Sequence, residues 1–148
     1  MTPADQSRIT DRICRLAPVV PVLVVNEVAH ARPLAQALVA GGLVALEVTL
    51  RTPAALDAIR AMSGVEGGII GAGTLLTPED VRAAKAAGAA FGVSPGATPR
   101  LLAACADEGL PLLPGAATAT EVMALVCTAD PTPKMVRHAM TANQIAMN

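Results

Sequence analysis

The sequence predicts an α/β domain in which short parallel strands alternate with covering helices, and three observations lead there. Short apolar runs rich in β-branched residues alternate with Ala/Leu-rich stretches of helical period. The same punctuation returns along the chain, a Thr-Pro pair before a helix and glycine after it. Of 148 residues, 53% are hydrophobic and 16% charged, with a mean hydropathy of +0.51, which supplies a large core and excludes disorder.

The elements follow in order. A leading helix precedes the first strand run, Val19–Val25, and the helix after that run ends at Gly41-Gly42. Leu43–Leu50 is the second run. Thr52-Pro53 then supplies a capping hydroxyl and a proline for the first turn of a helix that ends at Gly64. Gly68–Gly71 is the third run, and Thr77-Pro78, with Asp80 at capping-box spacing, opens a helix ending at Gly88. Ala90–Ser94 is the fourth, followed by Thr98-Pro99 and a helix ending at Gly109. Leu110–Leu113 is the fifth, and Thr118 with Glu121 marks the start of the last helix. At each of these glycines the left-handed C-terminal turn of a helix is expected.

Strands this apolar must be covered on both faces, and a helix between each pair requires parallel crossovers. Two architectures satisfy this. An open doubly wound sheet is complete at this length, whereas an eight-fold barrel at ~25 residues per unit needs ~200 or more, so length favours the open sheet. The run Leu43–Arg51 argues the other way. Val44, Leu46, Val48 and Leu50 form one apolar face, while Ala45, Glu47, Thr49 and Arg51 form a small or polar one. A barrel lumen accepts that second face; a layer of packed helices does not.

Composition also narrows function. With 11 Lys+Arg against 12 Asp+Glu, a net charge of −1 and Phe91 as the one aromatic residue, there is neither a basic face for phosphates nor rings for base stacking, so no nucleic-acid partner is expected. The longest apolar stretch, Leu16 to Val25, contains Pro18 and Pro21 and falls short of the ~20 residues that span a bilayer. No membrane partner is expected either. Asp5, Arg8, Asp11 and Arg12 interrupt the place of a secretory signal, which predicts a cytoplasmic protein. Cys14, Cys105 and Cys127 are far apart and lack a CxxC pair, as reduced structural thiols do. His30 and His138 are equally isolated, so no metal centre and no cofactor are predicted.

Glu47 is the most informative residue, since a carboxylate in mid-strand is costly to bury unless something pairs with it or uses it. One reading is a structural ion pair with Arg51, on the same strand parity; the other is a general acid/base of raised pKa, with Arg51 as a carboxylate clamp. Gly71-Ala72-Gly73-Thr74 follows a strand, where backbone N–H groups and the Thr74 hydroxyl could hold an anion, or where a plain tight turn needs glycine. Ser94-Pro95-Gly96 and Pro114-Gly115 mark the next strand ends, as turns or as part of a barrel-end site. Only Lys85 and Lys134 could form a Schiff base. Lys85 sits in the last turn of a helix, the usual place of a solvated cation, and Lys134 reads from local sequence as an exposed tail residue.

Taken together, Pro18-Val-Val-Pro21, Ala40-Gly-Gly42, Leu46-Glu-Val-Thr-Leu-Arg51, Gly71-Ala-Gly-Thr74, Val93-Ser-Pro-Gly96 and Leu113-Pro-Gly115 resemble, in order and spacing, the 2-keto-3-deoxy-6-phosphogluconate (KDPG) aldolases. The resemblance runs from about Pro18 to Leu125. It implies a (β/α)₈ TIM barrel of which about the first five βα units are present, and a metal-free class I aldolase, homotrimeric in the family. Such an enzyme splits a 2-keto-3-deoxy-6-phospho sugar acid into pyruvate and glyceraldehyde 3-phosphate. By the same resemblance Glu47 is the acid/base, Arg51 and Thr74 hold the carboxylate of a small keto-acid substrate, and Pro95 lines the pocket.

Beyond Leu125 the pattern departs from the family. Where members carry the imine lysine in Lys-Phe-Phe-Pro, this chain reads Thr132-Pro-Lys134-Met-Val. The spacing from Pro114-Gly115 gives the Schiff-base role to Lys134, without the flanking motif. Met135, Met140 and Met147 stand in a polar segment after an Ala/Leu/Val-rich body. The expected organisation is therefore an aldolase N-terminal part over 1–127 and a divergent tail over 128–148, from a truncated or frame-shifted reading frame, with no counterpart of the family's phosphate site. Two alternatives accompany this reading: a non-catalytic fragment that binds a chain supplying further strands, and a relative acting on 4-hydroxy-2-oxoglutarate or a galactonate-derived analogue.

Overall fold

The structure, a computed structural model, describes residues 1–128; Lys134, His138 and the Cys127 side chain lie outside what it describes. Helix α1 (Pro3–Cys14) leads, capped by the Thr2 hydroxyl, which accepts from the Asp5 N–H at 3.2 Å. Then come β1 (Val22–Leu23), α2 (Val28–Ala40), β2 (Ala45–Thr49), α3 (Ala55–Ser63), β3 (Ile69–Gly73) and α4 (Pro78–Ala86). Strand β4 (Phe91–Ser94), α5 (Pro99–Asp107), β5 (Leu112–Pro114) and α6 (Ala119–Thr128) complete the described part.

The five strands are all parallel and stand in strictly sequential order, β1-β2-β3-β4-β5. That order decides between the two architectures. A doubly wound sheet reverses its strand order and places helices on both faces, whereas successive βα units that keep one direction build a barrel wall. Helices α2 to α5 all pack on one face, where Ala31, Ala58, Ile59, Val81 and Leu101 meet Leu46, Val48, Ile70 and Leu112. The other face carries Ala45, Ile69, Phe91, Val93 and Leu113, closed at its foot by Ile9, Ile13 and Cys14 of α1. Length pointed to the open doubly wound sheet, and the topology corrects it. The alternation read in Leu43–Arg51 holds, with Leu46, Val48 and Leu50 under the helices and Ala45 on the inner face.

The helix ends largely follow the punctuation. After α2, α4 and α5, glycines at φ 89° (Gly42), 96° (Gly88) and 61° (Gly109) turn the chain left-handed. In each case two backbone bonds close the last turn, for α4 from Ala89 N–H to the Ala84 carbonyl and from Gly88 N–H to the Lys85 carbonyl, both 3.0 Å. Gly64 is different: it caps α3 at φ −87°, and the left-handed step falls at Gly67, φ 78°. Thr77 and Asp80 form the full capping box. Thr98 caps α5 through the Leu101 N–H at 3.2 Å, and Thr118 accepts from the Glu121 N–H at 3.3 Å.

Thr52-Pro53 does not start a helix. Helix α3 begins at Ala55 after Ala54, with no side-chain cap, and the Thr52 hydroxyl donates instead to the Val25 carbonyl at 2.5 Å. A tertiary acceptor has taken the group that the local pattern assigns to a cap. The Thr49 hydroxyl likewise donates to the Leu23 carbonyl at 3.2 Å, so two threonines bind the β1 segment to β2 and its loop. The thiol expectation holds for Cys105, which is buried and free, and Cys14 is free and half-buried. His30 lies on the surface 3.8 Å from the exposed Glu27. No helix among the described residues is long and apolar enough to cross a membrane.

Candidate active site

Strand β2 lies between β1 and β3, and its inner parity sets Glu47 opposite Val22 on one side and Gly71 on the other. The space over Gly71 is already filled: a Cβ there would lie 2.3 Å from the Phe91 ring. The Glu47 side chain runs instead over Gly73, where a Cβ would lie 1.9 Å from Oε1 and 2.7 Å from the carboxyl carbon. The carboxyl group thereby sits toward the C-terminal end of the strands, the end that carries the chemistry in barrel enzymes.

Glu47 is 8% exposed. Burial pushes its pKa from 4.5 up to about 7, against a smaller downward pull from the Arg51 charge. Among the described residues no hydrogen bond and no ion pair within 4.0 Å reaches its carboxyl group, so the structural ion pair with Arg51 is not formed. Arg51 stands two residues beyond β2 with its side chain in solvent, close enough to act on Glu47 only through its field.

The Gly71-Ala72-Gly73-Thr74 segment requires a correction. Its first three residues belong to β3 and pair along β2 and β4, so they do not form an anion-cradling turn after the strand. Only Thr74 lies beyond the strand, and it is the one non-glycine residue among those described with a left-handed backbone, φ 64°. For an L-residue that conformation costs about 1–2 kcal/mol. It persists because the chain is fixed on both sides, the Gly73 carbonyl accepting from Leu50 N–H at 2.9 Å and Leu75 N–H donating to the Val93 carbonyl at 3.1 Å.

Pro95 is exposed at the end of β4, and its carbonyl lies so near Gly115 that a Cβ there would sit 2.4 Å from it. Ser94 fixes this turn, its hydroxyl donating to the Gly96 carbonyl at 2.7 Å and its carbonyl accepting from Gly115 N–H at 2.8 Å. Arg51, Thr74 and Pro95 thus stand just past the C-terminal ends of three neighbouring strands, β2, β3 and β4, and the carboxyl group of Glu47 reaches toward that end from the middle of β2. Lys85 does not join them: its Nζ donates to the Gly109 carbonyl at 3.1 Å from the last turn of α4. Gly73 and Phe91 are the site-forming residues that sequence reasoning missed. Their signal was present, since two glycines at strand parity in Gly71-Ala72-Gly73 leave two hollows on one face.

A run of parallel βα units in sequential order, with helices on one face and a buried carboxyl group on the other turned toward the strand C-termini, defines the chain as part of a (β/α)₈-barrel protein. Residues 10–129 match the aldolase family described as KDPG and KHG aldolase, and the chain belongs to that family. It is 52% identical over 113 residues to the 2-dehydro-3-deoxy-phosphogluconate aldolase of Zymomonas mobilis, an alignment covering 76% of this chain and 54% of that protein. Among solved structures it resembles the 2-keto-3-deoxy-6-phosphogluconate aldolase of Z. mobilis with 3-phosphoglycerate, at TM-score 0.78 and 50% identity over 82% of this chain and 57% of that one. The KDPG aldolase of Legionella pneumophila, with pyruvate captured at low pH as a covalent carbinolamine intermediate, matches at TM-score 0.76 and 42% identity, covering 81% of this chain and 59% of that one. The chain spans about half the length of the curated relatives it matches.

Proposed function

We propose that the chain supplies the acid/base and carboxylate-binding part of a class I aldolase that splits 2-keto-3-deoxy-6-phosphogluconate into pyruvate and glyceraldehyde 3-phosphate. The observation that carries this reading is the Glu47 carboxyl group, buried toward the strand C-termini without a partner among the described residues, its pKa pushed by burial up to about 7, so that near neutral pH it can both give and take a proton. The covalent carbinolamine of the L. pneumophila relative supports the imine route. Arg51 and Thr74 hold the substrate carboxylate, Pro95 lines the pocket, and Lys134 forms the imine. The alternatives for the amine are occupied elsewhere, with Lys85 on the Gly109 carbonyl and the N-terminal amine on the Ala106 carbonyl at 2.8 Å.

The chemistry assigns Glu47 four proton transfers. The lysine amine adds to C2 of the keto acid, and Glu47 protonates the hydroxyl of the carbinolamine so that water leaves and an iminium remains. Its carboxylate then takes the proton of the C4 hydroxyl while the C3–C4 electrons pass into the iminium, releasing the aldehyde and an enamine. Glu47 returns that proton to C3, and its carboxylate then takes a proton from the water that adds to the iminium, which frees pyruvate and the amine and restores the acid. The body over 1–127, the tail over 128–148, the family's homotrimeric assembly and its cytoplasmic location belong to the same reading.

Borohydride trapping with pyruvate, followed by intact mass and peptide mapping, tests it. A pyruvyl adduct on Lys134 is expected, with the trapping rate of Glu47→Gln down by about 10²-fold or more. An adduct on Lys85 or the N-terminal amine overturns the role of Lys134, an unchanged rate in Glu47→Gln overturns that of Glu47, and a folded chain that forms no adduct overturns the aldolase reading. Cleavage rates with KDPG and 4-hydroxy-2-oxoglutarate side by side assign the substrate.

A further inference from the structure

Gly73 is not needed for its backbone. It lies inside β3, paired with Thr49, and does not have a left-handed φ, so any residue could take its conformation. Glycine within a strand forgoes side-chain packing and conformational restriction. What glycine provides here is room. A Cβ would come within 1.9 Å of Glu47 Oε1, 2.7 Å of its carboxyl carbon and 2.8 Å of its Cγ, so three consecutive positions of one side chain occupy the hollow. Beside it, the Phe91 ring fills the corresponding hollow at Gly71, directly across from Glu47 in the register. The carboxyl group cannot rest at its own level and is turned one strand repeat toward the C-terminal end.

From this we infer that Gly73 is a positioning residue for Glu47: its missing side chain forms the socket that holds the carboxyl group at the strand C-termini, with the Phe91 ring as the stop behind it. The catalytic consequence rests on the aldolase reading; the packing consequence does not. Gly73 acts only through Glu47, so adding a methyl group should matter only while the glutamate side chain is there.

A double-mutant cycle in the full chain tests this, comparing Gly73→Ala, Glu47→Ala and the double variant by thermal unfolding and by pyruvate trapping. Gly73→Ala is expected to lower Tm by about 5 °C in the parent chain and by less than about 1 °C in the Glu47→Ala background, where the socket is empty. If Gly73→Ala does not fold alone, recovery of folding in the double variant carries the same meaning. Equal losses in both backgrounds, or a double variant that also fails to fold while Glu47→Ala folds, overturn the proposal. Trapping adds a readout that loss of stability alone does not move: in Gly73→Ala at a temperature where it is folded, the saturating rate falls by about 10-fold or more while half-saturation by pyruvate changes less than about 3-fold. An unchanged saturating rate overturns the positioning role. A chain that traps no pyruvate in any variant counts against the aldolase reading, and the stability cycle still decides the socket.

Discussion

Glu47 shows what a buried carboxyl group costs the fold that holds it. Its carboxyl group titrates at about 7 in the folded chain against 4.5 ordinarily, because burial is only partly offset by Arg51. Between these two values the folded chain keeps a proton that the unfolded chain has released, so stability falls as pH rises through this window. The loss is complete above about pH 7 and amounts to roughly 3 kcal/mol. Glu47→Gln keeps the shape and removes the titration, so urea unfolding should find its stability relative to the parent chain rising by that amount between pH 4 and pH 8. A constant difference across that range means that the carboxyl group is not displaced. This residue was legible because a lone acid interrupts an apolar strand. Thr74 was legible only in part. Its place after a strand run showed in the sequence, but its left-handed backbone depends on bonds made by Leu50, just past β2, and by Val93 of β4, which no local pattern brings beside it.

At the scale of elements, one dipeptide meets two fates. Thr77-Pro78 and Thr98-Pro99 open helices as their pattern predicts, while Thr52-Pro53 sits in a turn before α3. The difference is one of competition. The Thr77 hydroxyl accepts from the Asp80 N–H and has no other hydrogen-bond partner among the described residues, whereas Thr52 reaches a carbonyl of the β1–α2 loop. Thr77→Ala should therefore cost about 1 kcal/mol and speed amide exchange in the first turn of α4. Thr52→Ala should leave the first-turn amides of α3 unchanged and loosen the loop around Val25. Exchange measured residue by residue by NMR separates these outcomes, and faster exchange at the start of α3 in Thr52→Ala means that the hydroxyl does act as its cap. Strand existence was legible from apolar runs, but strand length was not. Val19–Val25 yields only Val22–Leu23, because Pro18 and Pro21 cannot donate to a ladder and the run continues past its partner.

For the whole molecule, the parallel order follows from having a helix between every pair of strands, but the curvature does not, since total length argued for the wrong architecture. The better signal was the two-faced strand β2: one face for a helix layer, the other for the inside of a barrel wall. The same topology predicts where the sheet opens first. Strands β2, β3 and β4 have partners on both sides, whereas β1 has only β2 among the described residues and pairs through Val22 and Leu23 alone. So short a strand needs other ties, and the hydroxyls of Thr49 and Thr52 provide them through the carbonyls of Leu23 and Val25. The bond of Glu47 N–H to the Pro21 carbonyl, at 3.0 Å, reports on the β1 junction, and that of Ile69 N–H to the Val44 carbonyl, at 2.7 Å, reports on the interior. Thr49→Val keeps the volume of this buried side chain and removes its hydroxyl. Losing one hydrogen bond of about 1.4 kcal/mol should speed exchange at Glu47 about tenfold if β1 opens locally, and leave Ile69 unchanged. Equal acceleration at both amides means that β1 opens only with the whole sheet, and that the seat of Glu47 is as stable as the core beneath it.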